Sequence, residues 1–327
     1  MHLDSPLVDG HNRPINYLRL AVTDRCNLRC AYCMPPAGIR VLPHQELLSF
    51  EEILRLVALF TRLGIGKVRI TGGEPFVRRD LPDLLAALRK LAGLEQLHIT
   101  TNGVLTGNYL ETLQKINISG INLSIDTFRT DRFREITRRD QLPAVLATLR
   151  LCLAQGVPLK INTVVQPGNL AELGEIARLA KAHPVEVRFI EPMPFNGGRI
   201  FTATQPQEAA IREILQKELP PMTRILGRQG TAALYEVQGF RGRIGVIAGY
   251  SRQFCGHCNK IRLTPDGGLK TCLYGKPVLN LKELLRTGCD DGEIVRSIHA
   301  AVAAKPLNGM EAAAKEGVTD SMATIGG

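Results

Sequence analysis

The chain has no tryptophan, and six tyrosines and ten phenylalanines are its only aromatic residues. So small a set argues against a surface built to stack many unpaired nucleic-acid bases. Long apolar runs are also missing, none approaching the ~20 residues that a membrane-spanning helix needs. Met1 to Gly10 lacks the basic start and apolar middle of a secretory signal. A cytoplasmic protein with no membrane association is therefore expected. No GxxxxGK[ST] loop is present to cradle a phosphate chain. There is no low-complexity tract apart from a small-residue tail.

What is present suffices for a folded core. The 327 residues are 44% hydrophobic and 22% charged, near the globular average, which excludes a mainly disordered or collagen-like chain. The length fits one large domain or two ordinary ones. Forty-one Lys and Arg against thirty-one Asp and Glu leave a formal charge of +10, and 29 of the basic residues are Arg. A guanidinium pairs with phosphate or carboxylate at two points, so an anionic partner is expected. Charge alone does not choose between nucleic acid, a nucleotide and an acidic protein.

Eight cysteines without an export signal point to metal or redox chemistry more than to disulfides. Three lie within eight residues, Cys26, Cys30 and Cys33; three more are Cys255, Cys258 and Cys272; Cys152 and Cys289 stand alone. Three thiolates on one loop can hold three irons of a cubane and leave the fourth open, whereas structural zinc wants four closed ligands. The bland alternative for the first set is zinc completed by a distant His or Cys. For the second set, spacing alone slightly favours a zinc site completed by Cys289 or His257. Cys152, in the apolar stretch LRLCLAQG, reads as a core thiol.

From Tyr17 to Ile190 short β-branched runs alternate with amphipathic ones, the pattern of consecutive βα units. Six strands are predicted, at 17–22, 67–71, 96–100, 121–126, 159–165 and 186–190. The clearest helix runs from Phe50 to about Leu63, with Ser49 as N-cap, Glu52 completing a capping box, and Ile53, Leu56, Val57 and Phe60 on one face. Further helices are expected near 81–92, 108–116, 141–155 and 170–182. Such units form a parallel sheet covered by helices, with ligands at the C-terminal strand ends. Six are too few for a complete eight-stranded barrel. After Pro192 the rhythm breaks. MPFNGG reads as a loop, 207–218 as a helix, 233–248 as two strands around a turn at 239–242, then a hairpin about 265–268 and helices near 280–286 and 292–304. A soft boundary near residue 195 divides 1–195 from 196–327.

The informative residues follow the strands. TGGEP at 71–75 follows the second: its glycines allow close backbone approach to a ligand, and Glu74 with backbone carbonyls can accept from an ammonium group. Arg19, Arg69, Lys160 and Arg188 fall inside predicted strands and face a channel if the register is right; otherwise they snorkel outward.

TDRCNLRCAYCMP resembles the signature of radical S-adenosylmethionine enzymes, whose open iron is chelated by that cofactor. The ordered series LRLAVTDRCNLRCAYCMP, RITGGEP, ITTNG, NLSID, KINTVV, RFIEPMP, FCGHCNKIRLTPDGGLKTCLYG and the final Gly-Gly resembles one branch, the GTP 3',8-cyclase family of molybdenum cofactor biosynthesis, over nearly the whole chain. The resemblance implies an α/β fold, an incomplete (β/α)6 TIM-like barrel with a C-terminal α+β extension. It implies two 4Fe-4S clusters, on Cys26, Cys30 and Cys33 and on Cys255, Cys258 and Cys272, the second open iron contacting guanine. Cofactor contacts carry over to Tyr32, Gly73, Ser124 and Met193. GTP contacts carry over to Arg19, Arg69, Thr100 and Lys160, with Lys67 and Arg188 as additions. Where the family usually has Arg-x-Arg beside the second cluster, this chain has Lys260 and Arg262, which keeps the charge and loses one planar fork.

The tail resembles one that enters the active site, which assigns Gly326 and Gly327 to catalysis. The chemistry implied is a 5'-deoxyadenosyl radical taking hydrogen from C3' of GTP and C3' attacking guanine C8. The partners implied are GTP, S-adenosylmethionine, an electron donor and a functional link to the next pathway enzyme, in a homodimer or monomer that binds no nucleic acid. Two rival readings stand beside it: another radical enzyme acting on a peptide or RNA, and a zinc-containing nucleic-acid-binding protein.

Overall fold

The computed structural model describes residues 4–193, 195, 207–227, 230–249, 255–316 and 321–326. Gly327 and most of the loop expected over 193–198 lie outside the described residues.

Six strands run parallel and pair in chain order: β1 (Tyr17–Ala21), β2 (Lys67–Thr71), β3 (Gln96–Thr101), β4 (Gly120–Ser124), β5 (Leu159–Val164) and β6 (Glu186–Ile190). Helices fill the crossovers: α1 (Phe50–Arg62), α2 (Leu81–Arg89), α3 (Leu110–Lys115), α4 (Thr130–Thr137), α5 (Leu142–Ala154), α6 (Leu173–Ala177) and α7 (Leu179–Ala182). The predicted capping box of α1 is formed in both directions, Glu52 N–H to Ser49 Oγ at 3.1 Å and Ser49 N–H to Glu52 Oε2 at 2.7 Å. Its apolar face, Ile53, Leu56, Val57 and Phe60, is fully buried, each residue worth roughly 1.5–3 kcal/mol.

Two differences from expectation have local causes. Helix α4 was not predicted, because six charged or hydroxyl residues surround the Phe133 and Ile136 that it buries. The helix expected over 170–182 starts earlier, as a 3-10 turn at Pro167–Glu172 capped by Gln166 and Asn169, and continues as the two short helices α6 and α7.

The later part of the chain holds α8 (Glu208–Glu218), β7 (Met222–Arg224), β8 (Ala233–Val237), β9 (Arg243–Ile247), β10 (Lys260–Leu263), β11 (Gly268–Lys270) and β12 (Leu279–Asn280). It ends in α9 (Leu281–Arg286), α10 (Asp291–Ala303), α11 (Gly309–Glu316) and α12 (Met322–Ile325). The hairpins expected around 239–242 and 265–268 are β8–β9 and β10–β11. These strands do not form a sheet of their own. β9 pairs in parallel with β6 and β10 in parallel with β1, so among the described residues one mixed sheet of twelve strands has the order β12-β11-β10-β1-β2-β3-β4-β5-β6-β9-β8-β7.

Alternation along the strands separates two faces. Leu18, Leu20, Val68, Ile70, Leu97, Ile99, Ile121, Leu123, Ile161, Val187 and Phe189 turn to the helices and form the main core. The alternate residues are largely polar and surround a cavity.

Candidate functional site

The cavity has a volume of about 1160 Å³ and is lined by Tyr17 and Arg19 of β1, Lys67 and Arg69 of β2, and His98 and Thr100 of β3. Asn122 and Ser124 of β4, Lys160 and Asn162 of β5, Glu186 and Arg188 of β6, and Lys260 and Arg262 of β10 complete the wall. All eight residues expected at GTP therefore face one space, and the channel-facing register predicted for Arg19, Arg69, Lys160 and Arg188 is the observed one. Tyr17, His98, Asn122, Asn162 and Glu186 were missed, although their every-second position on the same strands was the signal for them.

Register crowds the cations. Arg19 stands opposite Arg262 on one side and Arg69 on the other. Burial and the neighbouring Arg19 charge bring Arg262 down to about 9, and burial likewise lowers Arg19 and Lys67. Lys160 pairs with Glu186 at 3.1 Å, and the same carboxylate takes Arg188. Burial together with the Arg69, Lys67 and Lys160 charges drops His98 to about 3, so its imidazole is neutral at pH 7. A cavity wall with this surplus of positive charge suits a polyanion.

The first cysteine loop follows β1 and is held from several sides. Arg29 donates to Cys26 O at 2.6 Å, Arg138 to Arg29 O at 2.9 Å and Met34 O at 3.1 Å, and Ser321 to Cys33 O at 2.7 Å. Cys26, Cys30 and Cys33 all line the cavity, with Tyr32, Gly73 and Met193. Burial raises the Cys26 thiol to about 11 and the Cys33 thiol to about 12, and burial with the neighbouring Cys33 thiol raises Cys30 well above the ordinary thiol value. Thiolates in such a place need a bound metal's charge, and a soft three-thiolate set fits iron-sulfur ligation. Gly73 sits so close that a Cβ there would stand 2.3 Å from Arg25 O. Across the cavity, Asn162 Oδ1 is buried without a hydrogen-bond partner, opposite Ser124 in the register. An orphaned acceptor beside Ser124 fits a polar cofactor.

Glu74 departs from expectation. Its carboxylate is fully buried, does not line the cavity, and accepts from Thr101 Oγ1 at 2.8 Å, Asn102 N at 2.7 Å and Phe76 N at 3.2 Å. It ties the turn after β2 to the end of β3.

Of the second set, Cys258 and Cys272 line the same cavity and Cys255 does not. Cys255 Sγ instead accepts from Gly309 N at 3.4 Å. Arg13 donates to Cys255 O at 2.9 Å, Leu307 O at 2.6 Å and Pro306 O at 2.7 Å. Lys305 reaches Lys260 O at 3.0 Å and also Thr271 O. Burial opposes ionisation of Cys258, but the Lys305 and Lys260 charges outweigh it and lower the thiol. Cys289 lies elsewhere, its sulfur 3.7 Å from Thr287 Oγ1 and its carbonyl accepting from Arg55. Among the described residues no three His, Cys, Asp or Glu side chains are grouped closely enough to hold a single metal ion. Cubane ligands bind separate irons and stand further apart.

The tail is anchored. Ile325 packs with Phe195, Tyr274 and Ala312 in a small second core, and Gly326 O accepts from Arg262 Nη1 at 2.5 Å and Arg19 Nε at 3.4 Å. Cys152 is a buried core thiol, as expected.

The Radical SAM superfamily profile matches residues 20–180, and that of Molybdenum Cofactor Synthesis C matches residues 185–310. The chain is 40% identical over 301 residues to the GTP 3',8-cyclase of Clostridium perfringens, covering 91% of this chain and 93% of that protein. It is 42% identical over 305 residues to the GTP 3',8-cyclase of Syntrophomonas wolfei, covering 92% and 93%. Against molybdenum cofactor biosynthesis protein 1 of Bos taurus the identity is 40% over 302 residues, 91% of this chain and 48% of that protein, so the chain spans about half the length of such relatives. Among solved structures, Streptococcus suis SuiB superposes with a TM-score of 0.64 at 15% identity, covering 91% of this chain and 68% of that one, a likeness of fold alone.

Proposed function

The chain belongs to the GTP 3',8-cyclase family of the radical S-adenosylmethionine superfamily, and from that premise we propose that it is a lyase converting GTP to (8S)-3',8-cyclo-7,8-dihydroguanosine 5'-triphosphate, the first step of molybdenum cofactor biosynthesis. The observation that carries the proposal is that one cavity joins cysteines of both sets to eight cationic or hydroxyl residues from neighbouring strands.

In this reading Cys26, Cys30 and Cys33 hold one 4Fe-4S cluster and Cys255, Cys258 and Cys272 a second, each with an open iron. The first cluster and S-adenosylmethionine supply, when bound, one electron and a group that takes hydrogen from the GTP ribose. The chain's own residues bind and orient. Gly73 gives backbone access to the cofactor, and Tyr32, Ser124 and Met193 flank it. Arg19, Lys67, Arg69, Lys160, Arg188, Lys260 and Arg262 neutralise the triphosphate, and Thr100 adds a hydroxyl. The Gly326-Gly327 tail acts in catalysis, with Gly326 O accepting from Arg262. Curling of the eight parallel strands into an incomplete barrel excludes water and stray hydrogen donors. Residues 1–195 supply the βα units, and 196–327 supply the second cluster and both flanking parallel strands. The electron donor and the next enzyme of the pathway are its functional partners.

Anaerobic reconstitution with iron and sulfide, followed by GTP, S-adenosylmethionine and dithionite, tests this by mass spectrometry. Expected are 5'-deoxyadenosine and the cyclised nucleotide together. 5'-Deoxyadenosine without a GTP-derived product would move the enzyme to another substrate, and neither product from an iron-loaded protein would overturn the radical chemistry.

A further inference from the structure

Tyr17 opens β1 and is nearly buried, and nothing above gives it a role. Its hydroxyl accepts from Arg69 Nε at 2.5 Å and also hydrogen-bonds Arg19. Lys67 Nζ stands 5.0 Å and Lys260 Nζ 5.5 Å from its ring centroid. The register produces this meeting, since Tyr17 lies directly opposite Lys67 on β2 and Lys260 on β10. Four cations from three strands thus converge on one ring and one oxygen. Like charges crowded in a largely half-buried wall repel one another, so something must hold them together before a polyanion arrives. The ring face attracts the two ammonium groups and the phenol oxygen takes the guanidiniums.

We propose that Tyr17 is a positioning residue that assembles Arg19, Lys67, Arg69 and Lys260 into the triphosphate cradle and releases them to phosphate oxygens when the nucleotide binds. This role deepens the GTP reading of the site and rests on it. A charge consequence follows. Burial raises the Tyr17 phenol, but Arg69, Arg19 and Lys67 outweigh it and bring it down to about 7. The charged groups facing it are Arg19 of β1, Lys67 and Arg69 of β2, and Lys260 and Arg262 of β10, all cations. Above pH 7 much of Tyr17 is therefore phenolate, an internal anion standing where phosphate will. An incoming triphosphate repels that phenolate and takes its cations, so the phenol pKa rises and Tyr17 takes one proton from solvent. Affinity should then fall as pH rises past about 7.

The test uses anaerobic holoenzyme titrated with GTP and, separately, with inorganic tripolyphosphate. Wild type should take up protons at alkaline pH, measured by calorimetry in buffers of different ionisation enthalpy. It should also lose a tyrosinate ultraviolet signal on adding tripolyphosphate, which does not absorb, in a chain without tryptophan. Below about pH 7, where the phenol is neutral, Tyr17→Phe should keep its iron and bind roughly tenfold more weakly, and Tyr17→Leu more weakly still; at alkaline pH Tyr17→Phe should lose the tyrosinate signal and part of the proton uptake, and its affinity should fall less steeply with pH than that of wild type. Equal affinity and equal proton uptake in wild type and Tyr17→Phe, or no tyrosinate change in wild type, would overturn the proposal. Because the ultraviolet measurement needs no variant, a misfolded Tyr17→Phe does not rescue it. Binding of tripolyphosphate but not GTP would overturn the GTP reading and leave Tyr17 judged on tripolyphosphate, and binding of neither would overturn both.

Discussion

Arg262 and Glu74 mark the two kinds of side chain at this site, one facing the cavity and one building it. Arg262 is half-buried between Arg19 and the tail carbonyl of Gly326. Arg262→Ala should weaken GTP binding roughly 10- to 100-fold, the worth of a charge-assisted hydrogen bond, while iron content stays at the wild-type level. Lost iron with unchanged affinity would remove it from the nucleotide site. Glu74 holds three donors that a neutral amide cannot all satisfy, because one oxygen becomes an NH2 facing another N–H. Glu74→Gln should therefore destabilise the fold by ~1–3 kcal/mol, read as a lower thermal midpoint of the apoprotein. The motif TGGEP was legible as a turn beside the cysteine loop, but the tie that its acid makes to the end of β3 was not. A carboxylate after two glycines looks the same in sequence whether it faces a ligand or the backbone of the next strand.

At the scale of elements, the alternation of β1 to β6 made most of the cavity wall readable, since residues two apart share a face. Arg19, Arg69, Lys160 and Arg188 were placed on that ground. Tyr17 and His98 were not, because an aromatic or imidazole at a strand start reads equally as core. The close approach of the β2 turn to the cysteine loop was readable only as a pair of glycines, and the structure supplies the distance. A Cβ at Gly73 would stand 2.3 Å from Arg25 O and 2.9 Å from Asp24 O, both backbone atoms that cannot move aside cheaply. Gly73→Ala should therefore displace the loop carrying Cys26, Cys30 and Cys33. Expected are reduced iron per chain and loss of S-adenosylmethionine cleavage, with the second cysteine set still loaded. Full iron and normal cleavage would show that the loop can shift without cost. Helix α4 was missed for the opposite reason, its charged surface hiding the apolar contacts that only tertiary packing reveals.

For the whole molecule, a boundary near residue 195 follows the change of rhythm in the sequence but cuts through one sheet. β9 and β10 both come after it, yet they cover the outer edges of β6 and β1 and continue the parallel order on each side. No local signal could announce this, because pairing partners far apart in the chain, Val187 with Ile244 and Leu18 with Ile261, leave no periodicity. The consequence is a dependence of the first part on the second. Residues 1–195 alone would expose the backbone hydrogen-bonding edges of β1 and β6, and unpaired edges invite association between chains. They would also lose Lys260 and Arg262 from the cavity wall, and with Lys305 and the 306–307 carbonyls the framework that Arg13 bridges. A chain ending at residue 195 should accordingly aggregate or elute as a heterogeneous assembly by size-exclusion chromatography. The full chain with Arg13→Ala should keep both sheet edges covered but carry less iron, because the second cysteine loop loses its brace, and should also melt at a lower temperature, because the buried Asp9 carboxylate loses its ion pair. A soluble, monodisperse 1–195 fragment that takes up iron would instead make it an independent domain, with the later strands as an attachment to a sheet already complete.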